Sequence, residues 1–181
     1  VGKPFAVTEF NFCFPNAYRS EAGAIMGGYA AFQDWDAIYR FNYSGSYRQY
    51  LNEHGPIYGL NTLNDPISTL SDRLVSLLFL RRDVSPASEY IVFEINPDYI
   101  FTEPENVASF SDSFSQLGLV SGLGTVVTGT QTESDKPILA GVVEPGDKGS
   151  LDVPTFTSND DLLQEVQDSG LLEPDRMNLE R

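Results

Sequence analysis

Cysteine, histidine and tryptophan each occur once in this chain of 181 residues, and lysine with arginine only 11 times against 26 aspartates and glutamates. The single Cys13 can close no internal disulfide, so cysteine usage points to no redox compartment. One cysteine and one histidine argue against a zinc site. His54 falls in a Gly-Pro loop and reads as an exposed loop residue, and Cys13 has no family signature around it. Thiol and serine hydrolases are therefore disfavoured. A formal net charge of −15, a pI near 4.2 and the absence of any Lys/Arg run disfavour nucleic acid and anionic membrane surfaces as partners. Neutral ligands such as sugars stay compatible. The longest nearly apolar run, Leu74 to Leu80, is too short to cross a bilayer, and the N-terminus lacks the basic flank and apolar core of a signal peptide. Gly122-Leu-Gly124 does not continue as a dinucleotide fingerprint, because Val127 stands where the third glycine belongs. No EF-hand is present, scattered carboxylates could hold at most a loose Ca2+ ion, and no cofactor is expected.

What is present is enough apolar material for a core, 41% hydrophobic and 12% aromatic residues, in one domain or two small ones. Phe5 to Thr8 read as a short buried strand, with Glu9 where it emerges. Tyr18 to Ala31 read as a helix. Its small residues on one stripe predict close packing against a sheet. Asp34-Trp35-Asp36 makes a corner before a strand over Ala37–Tyr43, and Asn42-Tyr43-Ser44 fits a glycosylation sequon. Residues 47–64 are turn-rich. Asp65 and Pro66 then open the clearest helix, running to Asp83, with Leu70, Leu74, Leu77 and Leu78 expected to be buried. Beyond Pro86, Tyr90–Ile95 reads as a strand, Glu105–Leu117 as a helix with Val107, Phe110, Phe114 and Leu117 inward, and Leu123–Val127 and Ile138–Val143 as further strands. A last short helix is expected from Ser158 or Asn159 to Val166, before an acidic tail from Glu173.

Lys3-Pro4, the apolar run and Thr8-Glu9-Phe10-Asn11, followed by helix and strand in that order, resemble the seventh-strand segment of the retaining glycoside hydrolases built on (β/α)8 barrels. The likeness covers roughly the first half of the chain. It implies an α/β fold in which residues 1–86 form a partial (β/α)8-barrel segment, its last two βα units. Residues 87–157 would form a small antiparallel β-rich accessory region with short helices, and 158–181 a short helix and tail. The alternative is a compact α+β domain. A complete barrel of this type needs about 250 residues, and the six units before strand seven have no residues here. The valine start fits processing or an excised piece of a longer enzyme.

By the same resemblance Glu9 is the candidate nucleophile. The alternative is a glutamate that reaches solvent at a strand end or pairs with Arg19 or Arg40. The superfamily's acid/base glutamate follows an asparagine on strand four, upstream of anything present, and Asn52-Glu53 lies downstream in a turn-rich loop as a coincidence of spelling. Sugars are held by aromatic faces and polar side chains, so Phe10, Asn11, Phe41 and Tyr43 near the strand ends are the candidate substrate-binding residues. For Phe41, core packing is the competing role. The expected function is that of a glycosidase fragment, with carbohydrate as partner in the intact enzyme and no activity in the isolated chain. The other reading is a non-catalytic carbohydrate- or protein-binding module. An unpartnered edge on strand seven invites self-association. Localisation stays open, secreted or periplasmic if the parent degrades polysaccharide.

Overall fold

The structure, a computed structural model, describes residues 2–45, 55–102, 109–129, 138–148, 150–151 and 168. The expectations for Asn52-Glu53, His54, Val107, the helix over 158–166 and the tail from Glu173 fall outside the described residues. The chain divides into two compact units, Pro4–Pro86 and, with Val1–Lys3, Ala87–Arg181.

In Pro4–Pro86, β1 (Ala6–Phe10) pairs in parallel with β2 (Ala37–Arg40), with a register irregularity between Val7 and Phe10. β1 is not the buried strand its composition predicts. Phe5, Ala6 and Thr8 are exposed, because a sheet of two strands covers little of either. Parallel neighbours need a crossover. It is supplied by a single turn of 3-10 helix, Arg19–Glu21, leading into α1 (Ala22–Phe32). Asp36 fixes the entry to β2 by accepting from the Phe5 N–H through Oδ2 at 2.8 Å, while its own N–H donates to Phe5 O at 2.9 Å. β2 is shorter than the sequence pattern predicts and ends at Arg40, before a cis peptide between Phe41 and Asn42.

The fourth main element, α2 (Pro66–Val75), continues as a π turn over Ser76–Leu80. Asp65 caps it as expected, its carboxylate accepting from the backbone N–H groups of Ile67 and Ser68 at 3.1 and 3.4 Å. The packing of this helix corrects two expectations. The small-residue stripe of α1 meets α2 rather than a sheet: a Cβ on Gly23 would lie 1.8 Å from Ser71 O, and one on Gly27 2.9 Å from Val75 Cα. Only glycine lets two helix backbones approach this closely. The face that α2 buries is therefore its serine face, Ser68 and Ser71, and the neighbouring leucine stripe stays open. Leu70 is 60% exposed, Leu74 39% and Leu77 37%, contrary to the predicted burial, while Leu78 is half-buried against Gly27 of α1.

In the second unit, β3 (Tyr90–Ile95) is the centre of a three-stranded sheet of order β5-β3-β6, with β5 at Gly122–Val127 and β6 at Ile138–Val143. Both pairings are parallel, which corrects the expected antiparallel arrangement. The strands are not joined by hairpins. Between β3 and β5 the chain forms α3 (Pro97–Thr102), β4 (Ser109–Phe110) and α4 (Asp112–Leu117), ample length for a parallel crossover, and β6 lies across β3 from β5 instead of beside it. Of the helix predicted over Glu105–Leu117, the described residues begin at Ser109: Asp112–Leu117 is helical, with Ser111 capping by accepting from the Phe114 N–H, and Phe110 belongs to a strand. β4 pairs in parallel with β7 (Ser150–Leu151). Apolar burial is concentrated in this unit: Ile91, Phe93, Tyr99, Phe114, Leu117 and Val143 form one cluster, with Phe93 5.0 Å from both Phe110 and Phe114 between ring centroids.

The fold is α/β with parallel sheets. Among the described residues no sheet closes into a barrel, and no helix is long and apolar enough to cross a membrane.

Candidate functional site

Parallel pairing brings the carboxyl ends of β1 and β2 to one edge, and the candidate residues sit on or just beyond those ends. Phe10 is in register with Arg40, and the Phe41 N–H extends the ladder by donating to Phe10 O at 2.9 Å. Glu9 and the Phe41–Tyr43 segment therefore leave the sheet at the same edge, as the βαβ order predicts. The segment Tyr58–Leu63 is stitched across both chain ends. Leu60 O accepts from the Asn42 N–H at 2.8 Å and also from Asn11 Nδ2, the Thr62 N–H donates to Asn42 O at 2.9 Å, and the Leu63 N–H donates to Tyr43 O at 3.0 Å. One carbonyl thus ties Asn11 to Asn42.

The side chains divide by environment. Glu9 is exposed, and the two arginines considered as its partners are engaged elsewhere: Arg19 with Asp65 at 2.8 Å and Arg40 with Asp72 at 3.3 Å. The solvent-reaching alternative for Glu9 thus stands, and the paired one does not. Phe10 is half-buried beneath Arg40, whose guanidinium carbon lies 5.3 Å from the ring centroid. That cation packing gives Phe10 a structural task in the unit as it stands. Tyr43 is 59% exposed and Phe41 is also exposed, so neither is consumed by the core.

Asn11 and Asn42 each hold a side-chain Oδ1 that is sealed from solvent, with no donor in reach among the described residues. For Asn11 the amide orientation is fixed, since its Nδ2 faces the Leu60 carbonyl, which can only accept. Buried polar atoms of both kinds thus lack a hydrogen bond at this edge among the described residues, the two asparagine Oδ1 acceptors and, at the end of β2, the Nε, Nη1 and Nη2 donors of Arg40. Arg40 and Asp72 were not foreseen as a pair. Their atoms are close enough for Coulomb attraction but not aligned for a hydrogen bond, and burial outweighs the charge of Arg40 to push the Asp72 carboxyl above its ordinary pKa. For Asp65 burial works in the same direction, but hydrogen bonds from Arg19 and Ser68, together with the charge of Arg19, hold it below the ordinary value.

No aspartate or glutamate occurs in Asn11–Asn16, Phe41–Gly45 or Ile57–Leu63, so these segments bring no second carboxylate to the edge beside Glu9. Among the described residues no group of three or more His, Cys, Asp or Glu is placed to hold a metal ion. The sequence signal for Asn42 was the sequon alone. Its part in the Leu60 junction depends on a contact eighteen positions away in the chain, which no local pattern reveals. Comparison with family models, with curated proteins and with solved structures gives no match to this chain.

Proposed function

We propose that Pro4–Pro86 carries the nucleophile edge of a retaining glycosidase of the (β/α)8 superfamily, β1 and β2 standing as its seventh and eighth strands. The observation that carries the proposal is the shared carboxyl edge: Glu9 and Tyr43 leave a parallel βαβ unit on the same side, the geometry on which barrel enzymes build their sites. Exposed Tyr43 and Phe41 offer ring faces to a sugar. The open leucine stripe of α2 and the outer edges of β1 and β2, unpaired among the described residues, are what a piece of a larger barrel would present.

In the intact enzyme the Glu9 carboxylate attacks the anomeric carbon as the bond to the leaving oxygen breaks. That oxygen takes a proton from a glutamate outside this chain. The same glutamate then deprotonates water, which displaces Glu9 from the glycosyl ester and restores its carboxylate. The acid/base group has to reach within about 5–5.5 Å of Glu9; on this reading it comes from outside this chain, and the isolated chain is expected to bind sugars weakly and turn nothing over.

The test is the parent reading frame. Six βα units ahead of Val1, the fourth ending in Asn-Glu, are expected. In that longer protein Glu9→Gln should abolish turnover of aryl glycosides, and a 2-deoxy-2-fluoro glycoside should become ester-linked to the peptide holding Glu9, read by mass spectrometry. A frame without such units, a label on another peptide, or hydrolysis by the isolated chain that Glu9→Gln removes would overturn the assignment.

A further inference from the structure

The second unit carries a different opportunity, independent of the glycosidase assignment. β6 ends the order β5-β3-β6, so β3 occupies one of its sides and, among the described residues, no strand is bonded to the other. Along any strand about half the backbone N–H and C=O groups point to each side, and an edge left open is a template for one more strand. Natural edges are guarded by charge, proline or a bulge. Ile138–Val143 reads Ile-Leu-Ala-Gly-Val-Val, without charge or proline, and its guard is the bulge that leaves Ala140 between Leu139 opposite Val92 and Gly141 opposite Phe93. Leu139 is 49% exposed and Val142 41%.

Charge selects the occupant. From Ala87 onward the chain has 18 acidic against 4 basic residues, a formal charge of −14. At β6 itself the bias is local: Glu94 stands opposite Val142 on β3, Glu144 follows the strand directly and Asp147 lies three residues on, and none of the three is in an ion pair among the described residues. A second copy of the chain would bring like charge against like charge. A basic segment would be drawn in by the same field. We propose that the open edge of β6 receives an extended peptide rich in lysine or arginine as an added strand, its apolar side chains covering Leu139 and Val142 and its cations set against Glu94, Glu144 and Asp147.

The test uses the 181-residue chain, isotope-labelled, with a capped octapeptide of alternating lysine and valine as probe. Expected are shift changes and slowed hydrogen exchange confined to the backbone amides of 138–143, about tenfold weaker binding in 1 M salt than at 0.1 M, and loss of binding when alternate peptide nitrogens are methylated. Val142→Lys should weaken binding at least tenfold with the remaining amide shifts unchanged. Should that variant fail to fold, the methylated peptide makes the same distinction on the unaltered chain. No protection at millimolar peptide, equal binding of a glutamate–valine octapeptide, or concentration-dependent protection of 138–143 without peptide, the mark of a second copy, would each overturn the proposal.

Discussion

The unit Pro4–Pro86 buries glycine, alanine and serine with Asn61, Thr62 and the carboxylate of Asp65, whereas the unit that begins at Ala87 buries Ile91, Val92, Phe93, Phe114, Leu117 and Val143. The first is held by close backbone approach between α1 and α2 and by polar bonds. The Ser71 hydroxyl accepts from the Gly23 N–H at 2.7 Å and donates to Ser20 O at 3.1 Å. The second is held by an aromatic and aliphatic cluster. Burial of apolar area is the main favourable term in folding, so the two units depend on different interactions. A helix can also be strongly amphipathic and still turn its leucines away from its nearest neighbour. The serine stripe of α2 marks what is in contact with α1, and Leu70, Leu74 and Leu77 stay exposed.

The largest expected effect lies in the polar unit. Asp65 is buried, caps α2 and is the partner of Arg19, which is itself only 11% exposed. Asp65→Ala should destabilise Pro4–Pro86 by about 3–5 kcal/mol, read by urea titration of Trp35 fluorescence, since the chain's only tryptophan lies in this unit. A change below about 1 kcal/mol would mean that the cap and ion pair do not hold the unit. The pH dependence has a definite sign. The folded Asp65 pKa lies below its ordinary value of 3.8. Its contribution is therefore complete above the unfolded pKa and drains as pH falls through the lower folded one. Asp72, raised in the folded state, runs the other way: its contribution is present below the unfolded pKa and is lost as pH rises through the folded one. Asp65→Asn should flatten the acid limb of stability below about pH 4. An unchanged limb would assign the acid sensitivity to other groups.

Next comes a matched pair of leucines. Leu117, fully buried in the cluster, should cost about 2–5 kcal/mol as Leu117→Ala, and Leu74 on the open stripe of α2 less than about 1 kcal/mol as Leu74→Ala. Denaturation midpoints by circular dichroism compare them directly. Equal losses would erase the contrast between the units and show the stripe of α2 to be covered in solution.

The smallest effect concerns two glycines of α1. At Gly28 an added Cβ would meet only Leu78 Cδ1 at 4.0 Å, so Gly28→Ala should stabilise by about 0.8–1 kcal/mol through helix propensity. At Gly23 the same methyl would collide with the Ser71 carbonyl, so Gly23→Ala should destabilise. If both substitutions stabilise, α1 and α2 do not approach as closely as described.

The local signals were legible where the physics is local. The Asp65-Pro66 cap and start of α2 could be read from residue types alone, because a carboxylate oxygen and a fixed proline φ act within one turn. The strand at Tyr90–Ile95, its stop at Asn96-Pro97 and the βαβ order around Glu9 could be read from hydrophobic spacing. α3 was not read, since six residues beginning at Pro97 give no periodic pattern, and the helix predicted through Phe110 failed because that residue is claimed by pairing with Leu151. The direction of the β5-β3-β6 pairings, the choice of α2's serine face over its leucine face, and the gathering of Asn11, Asn42 and Leu60 were decided only in three dimensions. Residue types and their near neighbours dictated which segments are apolar, where helices start and which residues stand at strand ends, since each of these follows from interactions within a few positions. Which face meets which partner, and which side chains share an edge, depended on contacts between residues up to about fifty positions apart, whose free energies exist only once the chain has closed on itself.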